Sequence, residues 1–218
     1  DQAWEGGLSC GGEVHILVEL LIGIADKAAY LLDSNPNQVK ELISETKMSD
    51  GESFIHEYKP ALKMIVVGAV HISQALVKMA ATLDIDVTLV DPRTAYASEE
   101  RFPGTKFVTD WPDEALEKIG INSSTAIVTL SHDPKLDDPA LETAMRSDAF
   151  YIAALGSRKT QKQRRERLRA NGFSAAEIAR IHGPAGLDIG ALEPAEIALS
   201  ILSELISIRR AENIKGIA

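Results

Sequence analysis

The sequence predicts an α/β fold, a parallel sheet flanked by helices. Short apolar runs recur along the chain, and several end in Gly or Asp, as strands buried on both faces do. Stretches with helical spacing separate most of these runs. Such alternation requires right-handed crossovers between parallel strands. The composition fits a globular chain, with 218 residues, 45% of them apolar and 25% charged.

The leading segment stands apart. Val14, Ile16 and Val18 alternate with His15, Leu17 and Glu19 after Gly11-Gly12, which predicts a strand. The chain opens Asp-Gln-Ala-Trp, without Met or a signal-type core, and enters this strand almost at once. It therefore reads as N-terminally incomplete, with residues 1–60 as a small β-containing remnant of a second domain plus a linker. Residues 20–60 are weakly patterned. Asp33 to Asn37 reads as a loop, Gln38 to Thr46 as a short helix, and Pro60 as the linker's end. Residues 61–218 form the α/β domain.

Lys63 to Val67 is the first strand of that domain, closed by Gly68. Ile72, Ala75, Leu76, Met79 and Leu83 then keep helical spacing. Val87 to Val90 is a second strand ending in Asp91, and Phe107-Val108 a third. Thr125 to Leu130 is a fourth and Tyr151 to Leu155 a fifth, ending in Gly156-Ser157-Arg158. A basic helix, Lys159 to Ala170, stops at Asn171-Gly172. Ser174 and Glu177 suit a capping box for a short helix, and Pro194 suits the first turn of a long last one.

Composition narrows the function. Lys plus Arg is 23 against 32 Asp plus Glu, a net charge of -9, which disfavours nucleic acid and anionic membranes as partners. No apolar run reaches the ~20 residues that span a bilayer. Cys10 is the only cysteine, so an intrachain disulfide and a cysteine-rich zinc site are excluded. A cytoplasmic protein is the expectation.

Four constellations could carry chemistry. The turn Gly68-Ala69-Val70-His71-Ile72-Ser73 follows the first strand of the α/β domain, where a dinucleotide-binding fold bends tightly around a pyrophosphate. This makes the domain Rossmann-like. Asp91 lies 23 residues beyond Gly68, where an acid can hold a ribose hydroxyl, and Arg93 beside it could meet a phosphate. Val70 stands where a second Gly would admit the phosphate backbone, which weakens the case for NAD(P).

Ser131-His132-Asp133 follows the fourth strand, in the position of a crevice loop. His132 suits phosphate binding or acid/base work; the plainer reading is an exposed His beside a helix cap supplied by Asp133 or Asp137. Gly156-Ser157-Arg158 opens a helix and suits an anion. From Arg158 to Arg169 there are seven basic residues and one acid. Arg158, Lys162, Arg165 and Arg169 share a face that reads mainly as solvated surface. In Ser9-Cys10-Gly11-Gly12, Cys10 is either a thiolate nucleophile or soft-metal ligand, or an inert small apolar residue.

Taken in order, these segments resemble the XdhC/CoxI family of xanthine dehydrogenase accessory and maturation factors. Gly7 to Val14 resembles the family's Gly-Cys-Gly-Gly segment, with Ser9 where Gly is usual. Gly68-Ala69-Val70-His71 resembles its Gly-Ala-Gly-His turn, departing at Val70. Ser131-His132-Asp133 through Leu141, Gly156-Ser157-Arg158 and Gly186 to Ala191 resemble its remaining signatures. The resemblance covers residues 1–20 and roughly 62–210.

The resemblance implies a non-catalytic chaperone. It would bind molybdenum cofactor, assist its sulfuration and insert it into a xanthine dehydrogenase-type apoenzyme. It also implies contact with a cysteine desulfurase and self-association into a homo-oligomer. Cys10 would be the thiol near molybdenum. Gly68, His71, His132, Gly156, Ser157 and Arg158 would line the crevice, with Asp188 fixing a glycine-rich loop or facing the same space. Two alternatives stay open: an NAD(P)-dependent oxidoreductase, supported by Asp91 and opposed by Val70, and a non-catalytic nucleotide-binding module.

Overall fold

The structure is a computed structural model. It describes residues 61–215 together with three strands within 28–58, with side chains described from Ala61 to Ala211. The chain divides into two compact units, Asp1–Pro60 and Ala61–Ala218.

In the first unit, β1 (Ala28–Leu32) pairs antiparallel with β2 (Val39–Ile43) and with β3 (Phe54–Tyr58), giving the order β2-β1-β3. Val39–Ile43 is therefore strand, where the sequence predicts a helix over Gln38 to Thr46. Nine residues make a poor isolated helix, whereas β1 offers Val39–Ile43 a hydrogen-bonding edge. The expected strand around Val14 and the Cys10 turn lie outside the described residues.

The second unit holds a six-stranded parallel sheet. Its strands are β4 (Lys63–Val67), β5 (Asp86–Val90), β6 (Lys106–Val108), β7 (Thr125–Thr129), β8 (Tyr151–Ala154) and β9 (Ile181–His182). Their order is β6-β5-β4-β7-β8-β9, so the winding reverses between β4 and β7. The two-residue β9, which pairs with β8 through Ile152 and Ala153, is too short for periodicity to reveal.

Alternation along each strand divides the core into two layers. Met64 and Val66 join one layer with α1 (His71–Ala81) and α6 (Pro194–Lys215), which pack on each other. Ile65 and Val67 join the other with α2 (Pro112–Ile119), α3 (Pro134–Met145), α4 (Arg158–Ala170) and α5 (Ala175–Ala179). Because strands point successive side chains to opposite faces, the near-continuous apolar sequence of β4 serves both layers. Leu76 of α1 is fully sealed in the first; burial of such a side chain contributes roughly 1.5–3 kcal/mol. Between β5 and β6 the chain runs as a loop, anchored into the first layer by Phe102.

Candidate functional site

The reversal between β4 and β7 leaves a crevice beyond the carboxyl ends of the strands, the usual ligand position in open α/β sheets. The candidate residues of the α/β domain follow the carboxyl ends of β4, β5, β7 and β8, with Asp188 in the loop after β9. Cys10 lies outside the described residues.

Gly68 sits at the reversal itself. Its φ is +108°, and a Cβ there would stand 2.7 Å from the backbone N of Ser131. Only glycine lets the β4 turn and the β7 loop approach this closely. The turn is closed by its own partners. Ala69 donates its N–H to Asp91 Oδ2 at 2.7 Å, Ser73 Oγ donates to Gly68 O at 2.5 Å, and Val70 N–H reaches Ser73 Oγ at 3.4 Å. His71 opens α1 on the surface, its Nδ1 3.2 Å from Gln74 Oε1.

Asp91 differs from a ribose-binding acid. It is fully buried, and its carboxylate accepts from Ala69 N, from Arg93 N at 2.9 Å, and from Arg93 Nε and Nη2 at 2.8 and 2.7 Å. Burial pushes its carboxyl upward, but the Arg93 guanidinium and the N–H groups of Ala69 and Arg93 outweigh this and hold it below the usual range. Asp91 thus acts as a lock between the glycine turn and the loop after β5, and a ribose hydroxyl would have to displace Arg93 to reach it.

The β7 loop is set from beneath. Ser131 Oγ accepts from Asp133 N at 3.1 Å and donates to Asp137 Oδ1 at 2.6 Å. Asp133 Oδ1 caps α3 by accepting from Lys135 N at 2.9 Å. Between them His132 takes φ +61° and is exposed. A left-handed non-glycine residue persists only where its surroundings fix it; Ser131 and Asp133 supply that constraint.

A buried network joins this loop to its neighbour. Asp137 Oδ2 accepts from Arg164 Nη2 at 3.0 Å, and Arg164 Nη1 donates to Gln161 Oε1 at 2.7 Å and to Leu155 O at 3.2 Å. Gln161 Nε2 donates to Ala154 O at 2.8 Å and Gly156 O at 3.3 Å. Asp137, Arg164 and Gln161 thereby hold the loops after both β7 and β8. Burial raises the Asp137 carboxyl, against Ser131 and Arg164, which lower it. Sequence reasoning missed this network. The available signal was the spacing of Gln161, Arg164 and Leu168, a buried stripe inside the basic run. Arg158, Lys162, Arg165 and Arg169 are exposed, as a solvated face requires.

At the β8 end, Gly156 has φ +132°. Ser157 caps α4 by accepting from Thr160 N at 3.2 Å. Arg158 stands 4.0 Å from Asp188, with both side chains 90% exposed. Exposed Leu187, Ile189 and Leu192 surround Asp188 in the sequence, giving this rim an apolar character.

The donors here suit an anion more than a metal. Arg93, His132, Arg158 and the start of α4 can face negative charge, while no group of three metal-ligating side chains occurs among the described residues. Nor, among them, is any helix long and apolar enough to cross a membrane. A depression of about 290 Å³ lined by Leu116, Ile121, Thr143 and Arg146 lies at the opposite, amino-terminal ends of the strands.

Residues 64–205 match the family model of the XdhC Rossmann domain. The chain belongs to the XdhC family. Over 152 residues this XdhC-family chain is 28% identical to the molybdenum cofactor insertion chaperone PaoD of Escherichia coli K12, covering 70% of the chain and 42% of that protein. Over 158 residues it is 28% identical to a probable xanthine dehydrogenase subunit of Bacillus subtilis 168, covering 72% and 46%. It thus spans less than half the length of these curated relatives. A solved structure of a xanthine dehydrogenase from Bacillus halodurans superposes with a TM-score of 0.65 at 24% identity, over 85% of this chain and 60% of that one. At that identity the likeness shows the fold alone.

Proposed function

We propose that this XdhC-family protein is an accessory factor that receives molybdenum cofactor as cargo, assists its sulfuration and inserts it into a xanthine dehydrogenase-type apoenzyme. The observation that carries this reading is the assembly of anion-facing groups at one sheet edge in a chain related to an insertion chaperone. The cargo bears phosphate, which suits guanidinium donors and a helix start. Its molybdenum centre is bound by sulfur, for which a thiolate is a soft partner. In this reading His132, Ser157 and Arg158 hold the anionic end, Gly68 and Gly156 shape the turns that carry them, and Cys10 is the thiol that meets the metal.

The exposed Leu187, Ile189 and Leu192 give the rim a surface suited to protein contact. The client apoenzyme docks there in our reading. A cysteine desulfurase is the sulfur donor, the factor self-associates, and it works in the cytoplasm. An oxidoreductase using NAD(P) draws less support, because Asp91 is committed to Arg93 and Val70 stands at the helix start.

Anaerobic purification from a molybdenum-replete host tests the reading. We expect the protein to carry a pterin, detected by fluorescence after oxidation, and to raise the activity of a co-expressed apo-dehydrogenase. Protein free of pterin and without effect on the dehydrogenase overturns it. Cys10→Ala should lower that activation while leaving the melting of the α/β unit unchanged. Unaltered activation removes Cys10 from the mechanism.

A further inference from the structure

The loop from Asp91 to Thr105 brings a second arginine and an aromatic ring to the β5 corner of the crevice. Arg101 Nη1 donates to Tyr96 O at 2.7 Å and to Ala69 O at 3.0 Å, which ties the loop to the glycine turn. Gln74 Nε2 reinforces the tie by donating to Arg101 O at 3.2 Å. The guanidinium carbons of Arg93 and Arg101 lie 4.7 and 5.9 Å from the centroid of the Tyr96 ring, which is 48% exposed. Such cation–ring contacts hold both planar cations in fixed positions.

The charge balance at this corner is lopsided. Arg93 directs Nε and Nη2 to Asp91, with Asp133 acting on it from further off, so the charge of Arg93 is offset. Among the described residues, no carboxylate pairs with Arg101. Its Nε and Nη2, and the Nη1 of Arg93, likewise find no acceptor among those residues. A guanidinium stays protonated throughout the working pH range and presents a planar fork matched to phosphate.

In a Rossmann-type crevice an acid at the end of the second strand accepts a ribose hydroxyl, whereas an arginine nearby accommodates a phosphate on that ribose. Here the acid is sealed and arginine donors are left to face the ligand. The corner has changed from hydroxyl acceptor to phosphate donor.

We propose that Arg93 and Arg101, braced by Tyr96, form a subsite for the phosphate monoester of a nucleotide, of the kind that adenosine 2′-phosphate presents. A monoester at this corner does not require the pyrophosphate passage over Val70. The subsite goes beyond the handover role, and its test involves no molybdoenzyme, so either can fail alone.

Calorimetric titration of the full chain with adenosine 2′-phosphate, adenosine and inorganic phosphate tests it. We expect the nucleotide to bind at least tenfold more tightly than either fragment. Arg101→Met should abolish that advantage, whereas Lys135→Met, which removes an exposed charge after the β7 loop, should leave it intact. Equal affinity for nucleotide and adenosine overturns the proposal, as does full retention of the advantage in Arg101→Met. Inorganic phosphate binding as tightly as the nucleotide overturns the nucleotide assignment. Should Arg101→Met fail to fold, the arginine Nε–H signals of the unaltered protein decide: selective shifts of Arg93 and Arg101 on adding the nucleotide support the subsite, and their constancy overturns it.

Discussion

Asp137 Oδ2 lies 3.0 Å from Arg164 Nη2, and both side chains are almost wholly sealed from solvent. The pair ties α3 to α4, and through Ser131 and Leu155 it reaches the ends of β7 and β8. Arg164 fixes the backbone beneath His132 and Ser157.

Removing one partner strands a buried charge. Arg164→Met should therefore destabilise the α/β unit by about 3–5 kcal/mol near neutral pH. The deficit should shrink on acidification. Asp137 already has a raised pKa, so its cost to the fold is complete above the folded pKa, shrinks as pH falls through it, and is gone below the unfolded value. Asp137→Leu combined with Arg164→Met should recover much of the loss. Urea unfolding at several pH values measures all three effects; a pH-independent deficit would refute the stranded-carboxylate account.

Gly68 and Gly104 offer a paired test of backbone crowding. Both have positive φ, at +108° and +68°, but a Cβ at Gly104 meets nothing within 4 Å, whereas one at Gly68 stands 2.7 Å from Ser131 N. Gly104→Ala should cost about 1 kcal/mol, the ordinary penalty of the conformation. Gly68→Ala should cost at least about 3 kcal/mol, because rigid backbone from β7 must also move. Thermal unfolding of the two variants separates these causes. Equal costs would mean that the β4–β7 approach carries no constraint.

Much of this architecture could be read from the residues. Lys63 to Val67 is apolar throughout because it serves two core layers, and Gly68 follows because the reversal demands close approach. Asp91 was legible by spacing alone. Its commitment to Arg93 was not, since spacing gives position and leaves the carboxylate's partner undetermined. Arg164 was hidden for a related reason: residue type marks it as one of seven cations, and only the neighbouring Gln161 and Leu168 show which face turns inward. In the first unit, Val39–Ile43 gains its strand form from β1, a long-range pairing that local pattern does not encode.

Asp91 predicts a distinct acid limb. Its folded pKa lies below the ordinary carboxylate value of about 3.9. Its contribution is therefore fully present above that unfolded value and is lost as pH falls through the folded one. Asp91→Asn should be less stable than the parent at pH 7, and the gap should begin to close only below about pH 4. Denaturant midpoints between pH 7 and pH 2.5 provide the check. A constant difference across that range would show that Asp91 acts through shape alone.

Val70 decides what passes over the start of α1. It occupies the N-cap with extended backbone at φ -100°, and its side chain packs partly against the first core layer. Its branched side chain stands where a close-approaching pyrophosphate needs a second glycine. Val70→Gly removes that obstacle while keeping Asp91 on Ala69 and Ser73 on Gly68, since neither bond uses the Val70 side chain. If the crevice otherwise admits a dinucleotide, the substitution should tighten NADP+ binding by about tenfold, roughly 1.4 kcal/mol. NAD+ should gain by a similar factor, because the monoester contact with Arg93 and Arg101 does not depend on Val70 and cancels from the ratio. Equal gains for both would locate the whole effect at the pyrophosphate. No gain for either would mean that Val70 is not the barrier, leaving the Asp91–Arg93 lock as the feature that excludes a dinucleotide.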